Sequence, residues 1–159
     1  MNAKITFLLF SLLSFAETTN SYGQQKDQIN WISFTQLSDS LKVHPKKVFV
    51  NFYAYWCVYC KEMDRTTFQN KEVIKRLNEN YYTVKMNIET EEKIIFGGQT
   101  FVNNRIKKVN PVHEIALLLA SRKNKPFSLP AYIVYNEKFE AEARYFQYLD
   151  VPALLKIIK

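Results

Sequence analysis

Glycine, proline, cysteine and histidine are scarce in this sequence. Its 159 residues include 3 Gly, 5 Pro, 2 Cys and 2 His, and no segment repeats at a fixed period. The scarcity of glycine and proline excludes collagen and the low-complexity classes built on those residues. A zinc site needs four ligands, and the histidines, His44 and His113, do not stand at the usual finger spacing. We therefore expect no bound metal.

A hydrophobic run long enough to cross a membrane is also absent. The longest run, Ile5 to Phe15, is about half of the roughly 20 residues that a membrane-spanning helix requires. Lys4 precedes this run and the polar stretch Glu17 to Asn20 follows it, which is the order of a secretory signal. A buried N-terminal helix is the alternative interpretation.

The end of this run sets the predicted start of the mature protein. Small residues at Ser21 and Gly23 favour cleavage before Gln24, although Ser14 and Ala16 offer a competing site. We predict a cleaved signal peptide over 1–23 and a soluble, periplasmic protein with a single domain over 24–159. At this length one domain buries about two thirds of its unfolded surface, whereas two separate cores would each be small.

The composition is that of a globular protein with a basic surface. The hydrophobic content is 47%, the charged content is 23% and the net charge is +7, with basic groups at 105–108 and 122–125. Such a charge could attract nucleic acid, but export argues against that partner. We interpret the basic groups as solvated faces, with a dedicated anion site as the alternative.

The hydrophobic pattern alternates between strands and helices. The run Val48 to Ala54 has the length and the apolar, aromatic character of a central strand buried on both faces. The crossover from this strand to Tyr81 to Ile88 implies a parallel pair, and Gly97-Gly98 suits the turn of a short hairpin. The other predicted elements are helices over Thr35 to Val43, over Cys57 to about Thr67, from Asn70, from Pro111 and from Asp150, and strands over 131–135 and 139–146. The pattern predicts an α/β fold with a central mixed sheet flanked by helices.

Two cysteines, Cys57 and Cys60, stand at the junction between the buried strand and the next helix. A cysteine in the first turn of a helix faces unpaired N–H groups and the positive end of the helix dipole, which favour the reactive thiolate. We therefore predict that Cys57 is the exposed nucleophile and that Cys60 resolves the mixed disulfide. This dithiol exchange needs no cofactor. An inert structural disulfide stays open as an alternative, whereas zinc and copper carriage are disfavoured.

The segment Val50 to Met63, VNFYAYWCVYCKEM, resembles the active-site segment of thioredoxin-fold proteins. It is most similar to the C-terminal periplasmic domain of the thiol reductase DsbD, and the likeness continues at 84–88 and 129–132. The resemblance implies a thioredoxin fold with an inserted, hairpin-containing segment over 92–125. It also implies that Pro130, after this segment, is a cis-proline that faces the cysteines.

The same resemblance implies supporting roles near the cysteines. Trp56 is expected to pack beside them and shape their access, with a role in core packing alone as the alternative. Glu62 matches a glutamate of the reductase domain. Glu62 is therefore our candidate to accept the proton that Cys60 must lose, with a solvated charge on the helix surface as the alternative role. The sequence departs from the thioredoxin pattern at Asn51, which replaces a buried aspartate, and at Tyr55, which replaces an acidic residue.

Two further polar residues receive structural interpretations. We expect His113, at the head of a helix, to be a surface residue. We expect Lys85 to be an ordinary strand lysine with a packed stem.

The function implied is that of an exported thiol–disulfide oxidoreductase acting on protein disulfides or dithiols. Strongly oxidising relatives carry a histidine between their cysteines, whereas Val58 and Tyr59 add no charge here, which favours reduction. A reductase outside the cytoplasm must be recharged by a membrane electron-donor thiol reductase. Disulfide oxidase or isomerase activity and a non-catalytic binding module are the alternatives. The sequence leaves the substrates and the oligomeric state open.

Overall fold

The computed structural model describes residues 28–159, which form a mixed sheet with helices on both faces. The predicted signal peptide, 1–23, lies outside these residues. From residue 28 onward, no helix combines the length and the apolar character needed to cross a membrane. The helices are α1 (Phe34–Val43), α2 (Val58–Arg65), α3 (Lys71–Asn80), α4 (Glu114–Ala120) and α5 (Val151–Ile157), with a 3-10 turn at Thr67–Gln69. The strands are β1 (Trp31–Ile32), β2 (Lys47–Tyr53), β3 (Tyr81–Asn87), β4 (Ile94–Phe96), β5 (Gln99–Phe101), β6 (Ala131–Tyr135) and β7 (Ala141–Tyr145).

Strand β2 lies at the centre of the main sheet because its side chains are buried on both faces. Residues 48–52 are all buried. The strand order is β1-β3-β2-β6-β7, and β2 pairs in parallel with β3 and antiparallel with β6. The predicted central strand, the parallel crossover and the mixed sheet are confirmed.

Alternate side chains of β2 belong to two separate cores, one on each face of the sheet. Phe49 packs in the core that contains Leu77 of α3, and the helices α2 and α5 contribute to the same core. Val50 packs in the opposite core, with Phe34 of α1 and Ile115 of α4. The carboxyl end of β2 is therefore held firmly from both sides.

The predicted hairpin is formed by β4 and β5, outside the main sheet. Gly97 and Gly98 make its turn with φ of 59° and 78°, a conformation that glycine adopts without a steric cost. Phe96 packs edge-on against Phe34 of α1, with 5.5 Å between the ring centroids. The hairpin therefore covers the outer side of the α1 core.

Helix α4 begins at Glu114, later than the predicted start at Pro111. The backbone N–H of His113 donates to the carbonyl of Ile88 at 2.8 Å, which ties residue 113 to the end of β3. The His113 ring caps the helix by accepting the N–H of Ile115 at 3.2 Å. The prediction that His113 is a surface residue is therefore wrong: the side chain is fully buried. Burial lowers its pKa and favours the neutral ring that accepts this bond.

Candidate active site

The two cysteines lie where β2 ends and α2 begins. After Tyr53 the chain leaves the sheet, and the N–H of Cys57 donates to the carbonyl of Ala54 at 3.1 Å. This turn places Cys57 at the N-cap of α2 and Cys60 in the first turn of the helix. A disulfide joins the two residues, with 5.3 Å between their Cα atoms.

The N-cap position of Cys57 favours a negative charge on its sulfur. Its Sγ accepts the backbone N–H of Cys60 at 3.1 Å, one of the donors that the first turn of a helix leaves unpaired. The helix N-terminus adds a partial positive charge at the same place. In the reduced protein the same donor and the same dipole stabilise the thiolate of Cys57, whereas Cys60 lies inside the helix.

Burial does not distinguish the two sulfurs. Cys57 is 3% exposed and Cys60 is 4% exposed, so the disulfide form lacks the greater exposure predicted for Cys57. The side chains next to the cysteines in sequence are large, apolar and 62–74% exposed. We call these four residues the apolar collar: Tyr55, Trp56, Val58 and Tyr59. An exposed apolar patch of this kind is typical of a protein contact surface.

Trp56 joins the cysteine loop to the loop that follows β3. Its indole Nε1 donates to Oε1 of Glu89 at 2.7 Å. Trp56 also lines a groove, whose other walls come from residues 88–89, Arg105, residues 109–112, Leu117 and residues 126–127. The predicted role of Trp56 in access to the cysteines stays a prediction.

Pro130 lies at the start of β6, at the same end of the sheet as the cysteine loop. The Leu129–Pro130 peptide bond is cis and Pro130 is buried. Ala131 pairs with Phe52, so β6 begins beside the last residues of β2. The predicted contact of Pro130 with the cysteines stays a prediction.

Glu62, the candidate proton acceptor, forms an ion pair on the surface of α2. Its carboxylate lies 2.9 Å from Nη2 of Arg65, and the Nε of Arg65 also donates to it at 3.3 Å. The side chain of Glu62 is 39% exposed. The arginine therefore holds the carboxylate, and its role as a proton acceptor stays a prediction.

A second carboxylate, which the sequence analysis did not single out, lies one helical turn after Cys60. Oδ1 of Asp64 is 2.6 Å from Nζ of Lys85, and this ammonium also lies over the ring of Tyr53, 5.0 Å from its centroid. Lys85 is therefore more than a strand lysine with a packed stem. The available signal was the spacing of Cys60 and Asp64, because residues i and i+4 share one face of a helix.

Asn51 is buried in the middle of β2, between Lys85 of β3 and Tyr132 of β6 in register. Its Oδ1 has no hydrogen-bond partner among the described residues. The hydroxyl of Tyr132 donates to Sδ of Met63 at 2.9 Å, and burial raises the pKa of Tyr132. Neither an amide nor this phenol takes up a proton at neutral pH, so neither can serve as the base for Cys60.

Metal-ligating side chains are not clustered around the cysteines. Within residues 28–159, no three His, Cys, Asp or Glu side chains are grouped in a way that could hold a metal ion. The chemistry that the described residues support is exchange between the Cys57–Cys60 disulfide and a second disulfide or dithiol.

Comparison with known sequences agrees with this site. The profile of a family described as thioredoxin-like matches residues 33–136, which include both cysteines. Over 81 residues, or 51% of this chain, the sequence is 31% identical to the thiol:disulfide interchange protein DsbD of Campylobacter jejuni strain RM1221. This chain spans 13% of the length of that relative.

Comparison with solved structures gives the same fold. A thioredoxin from Thermus thermophilus superposes with a TM-score of 0.58 at 19% identity, over 82% of this chain and 85% of that one. A putative disulphide-isomerase from Bacteroides thetaiotaomicron gives a TM-score of 0.52 at 24% identity, over 84% of this chain and 92% of that one. The predicted thioredoxin fold is confirmed.

The class of protein follows from the fold and the site together. A thioredoxin fold with a C-x-x-C disulfide at a helix N-cap is the arrangement that thiol–disulfide exchange requires. The chain belongs to the thioredoxin-like family.

Proposed function

We propose that this protein is exported and reduces the disulfides of other proteins through Cys57 and Cys60. The observation that carries the proposal is the hydrogen bond from the N–H of Cys60 to Sγ of Cys57 at the N-cap of α2. This bond favours a thiolate at the one cysteine that begins the exchange.

The reaction transfers two electrons from the dithiol to the substrate. The thiolate of Cys57 attacks one substrate sulfur, so a mixed disulfide forms and the other substrate sulfur leaves as a thiolate that solvent protonates. The thiol of Cys60 then loses its proton and attacks Sγ of Cys57. The internal disulfide forms, and the second substrate sulfur leaves as a thiolate.

The apolar collar favours proteins over small molecules as substrates. Both sulfurs are almost fully covered, whereas the four collar side chains are largely exposed. A partner surface that packs on the collar brings its own disulfide to the edge of Cys57 and replaces the water around the collar. Trp56, which belongs to the collar, and Pro130, which lies at the same end of the sheet, are the proposed supporting residues.

The uncharged residues between the cysteines favour the reducing direction. A strong oxidant of this class owes its potential to a stabilised reduced form, and neither Val58 nor Tyr59 adds a charge that stabilises the dithiol. The similarity to thiol:disulfide interchange proteins named DsbD supports a place in an extracytoplasmic electron relay. We propose that a membrane thiol reductase recharges the pair.

The proton of Cys60 needs an acceptor, and Glu62 is our proposed base. Glu62 lies on α2 two residues after Cys60, and its carboxylate is held 2.9 Å from Nη2 of Arg65. Asp64 is the competing candidate, because it shares a helix face with Cys60 and is held by Lys85.

The direction of the reaction is tested by the reduction potential. The protein is equilibrated in glutathione buffers of graded ratio, and the dithiol fraction is read by alkylation and mass spectrometry. We expect a potential closer to the approximately −270 mV of thioredoxin than to the approximately −120 mV of the oxidant DsbA. A value above about −180 mV, the potential of protein disulfide isomerase, would instead indicate an oxidase or an isomerase.

Activity and export are tested separately. Reduced protein is mixed with a protein disulfide, and Cys57→Ser is the inactive control, because the nucleophile is then absent.

Cell fractionation with N-terminal sequencing reports export, and the mature chain is expected to begin at Gln24. A protein that leaves the substrate oxidised would be a binding module, and a cytoplasmic chain with an intact N-terminus would contradict export.

A further inference from the structure

A groove runs from Trp56 along the segment that precedes Pro130. Its volume is about 630 Å³. Trp56, the residue directly before Cys57, lines the groove together with Glu89, which accepts its indole N–H. A chain bound against Trp56 in the groove therefore lies next to the cysteine loop.

The walls of the groove opposite Trp56 are mainly apolar. Six of the lining residues there have apolar side chains, namely Val109, Pro111, Val112, Leu117, Pro126 and Phe127. Val109 is 97% exposed, which is unusual for an aliphatic side chain and leaves it available to a partner. The groove can therefore bury the apolar side chains of a partner.

Local hydrogen bonds hold these walls in place without a partner. Asn103 is buried, and its Nδ2 donates to the carbonyls of Thr90 and Pro111 at 3.1 and 2.8 Å. At the other wall, the guanidinium of Arg122 donates to Oγ of Ser128 at 2.6 Å and lies over the ring of Phe146. A preformed groove binds with less loss of conformational entropy than a disordered loop.

The segment that forms these walls is strongly basic, with a net charge of +5 over residues 105–127. Residues 105–127 include six Lys and Arg and one Asp or Glu, in a chain whose net charge is +7. Within residues 28–159, none of those six cations takes part in an ion pair. Lys107 and Lys108 are exposed and stand between two lining residues, Arg105 and Val109.

We propose that this groove binds an extended segment of a partner protein that carries acidic and apolar residues beside its exchanging cysteine. The inference rests on the proposed function and names the class of partner that the site selects. Apolar side chains of the segment fill the groove, and its carboxylates face the lysines at the rim. Complementary charge raises the association rate of such a segment and disfavours basic ones.

The test compares short synthetic peptides that share one cysteine and the same apolar neighbours. One peptide has acidic flanks and the other basic flanks, and each cysteine is blocked as a mixed disulfide with thionitrobenzoate. The thiolate of Cys57 attacks the peptide sulfur, and thionitrobenzoate leaves as a coloured thiolate. We expect the acidic peptide to react at least about tenfold faster at low ionic strength, with the ratio falling toward one at about 0.5 M NaCl.

Two charge-reversal variants test whether Lys107 and Lys108 cause the preference for the acidic peptide. Lys107→Glu with Lys108→Glu should remove the preference for the acidic peptide. The matched control is Lys71→Glu with Lys75→Glu, which makes the same change of net charge. These two lysines are exposed on α3, which packs on the opposite face of the sheet from α4. The control should keep the preference for the acidic peptide. Circular dichroism establishes that both proteins are folded. A third peptide, with acidic flanks and serine in place of its apolar residues, should react more slowly than the first.

The outcomes separate this inference from the proposed function. Equal rates with all three peptides overturn the groove as a selective site while leaving exchange itself intact. A protein that releases no thionitrobenzoate from any peptide refutes the proposed function. Binding to phosphatidylglycerol vesicles that depends on Lys107 and Lys108, together with equal peptide rates, assigns the surface to an anionic membrane and overturns the inference.

Discussion

The difference in reactivity between the two cysteines can be measured one thiol at a time. The variants Cys57→Ala and Cys60→Ala each leave a single cysteine. Alanine keeps the backbone N–H of residue 60, so Cys57 retains the hydrogen bond that Sγ accepts at 3.1 Å. We expect the remaining thiol of Cys60→Ala to react with iodoacetamide faster than that of Cys57→Ala at mildly acid pH, where only the thiolate fraction reacts.

The size of this difference follows from the site. A hydrogen bond to a charged group contributes about 1.5 to 3 kcal/mol, and a helix N-terminus contributes about 0.3 to 1 kcal/mol. The loss of hydration largely cancels between the thiols, because Cys57 and Cys60 are 3% and 4% exposed. The two contributions arise from the same unpaired N–H groups and are not fully additive, so we take a net difference of about 2 to 3 kcal/mol, which means about 30- to 140-fold more thiolate at Cys57. The more stable thiolate is the weaker nucleophile, with a Brønsted slope of about 0.5, so the expected rate ratio is about 5- to 12-fold.

The assay follows alkylation by mass spectrometry from about pH 5 to pH 9. The ratio should be largest at the acid end and shrink once both thiols are ionised. Circular dichroism of both variants controls for loss of α2. Equal rates across the whole range, or faster labelling of Cys60, would refute the assignment of Cys57 as the nucleophile.

Three further predictions concern the base, the buried histidine and the core. Glu62→Gln should slow the resolving attack of Cys60 in a single-turnover assay by about 10²-fold or more near neutral pH, and slowing in Asp64→Asn alone would move the role of base to Asp64. Because burial lowers the pKa of His113, the unfolded chain binds the proton more readily, so the free energy of unfolding should fall as pH drops below about 6.5. His113→Asn keeps a helix-capping acceptor and should flatten that part of the stability profile in urea unfolding, and an unchanged slope would assign it to other groups. Phe49→Ala removes a fully buried ring and should lower the free energy of unfolding by about 3 to 5 kcal/mol, whereas a loss below about 1 kcal/mol would contradict its place in the core.

The elements that the sequence predicted well are those whose causes are local. The buried strand at 48–52 follows from a continuous apolar run, and the hairpin turn follows from Gly97 and Gly98. The start of α3 follows from Asn70, whose Oδ1 accepts the N–H groups of Glu72 and Val73. The place of Cys57 at a helix N-terminus has the same local origin, because the change from strand to helix periodicity falls at that residue.

The boundaries that the sequence misplaced depend on single backbone conformations. Strand β7 begins at Ala141 and not at Phe139, because Phe139 adopts a positive φ of 59° in the turn and stacks on Tyr135. An aromatic residue in an apolar pattern favours a strand, and the residues next to Phe139 in sequence do not predict a positive φ there. Helix α4 is shortened in the same way, by the bond between His113 and the end of β3.

The sequence by itself determined the chemistry of this protein, because thiol–disulfide exchange needs only two cysteines one turn apart at a helix start. The tertiary structure alone decided the surroundings of that chemistry. The ion pair of Asp64 with Lys85 joins residues 21 positions apart, and the groove joins Trp56 to a segment that begins at residue 105. Such contacts depend on how helices and loops pack over the sheet, and no local pattern encodes that packing. For the same reason, the burial of both cysteines and of His113 could not be predicted from the sequence and is seen only in the folded chain.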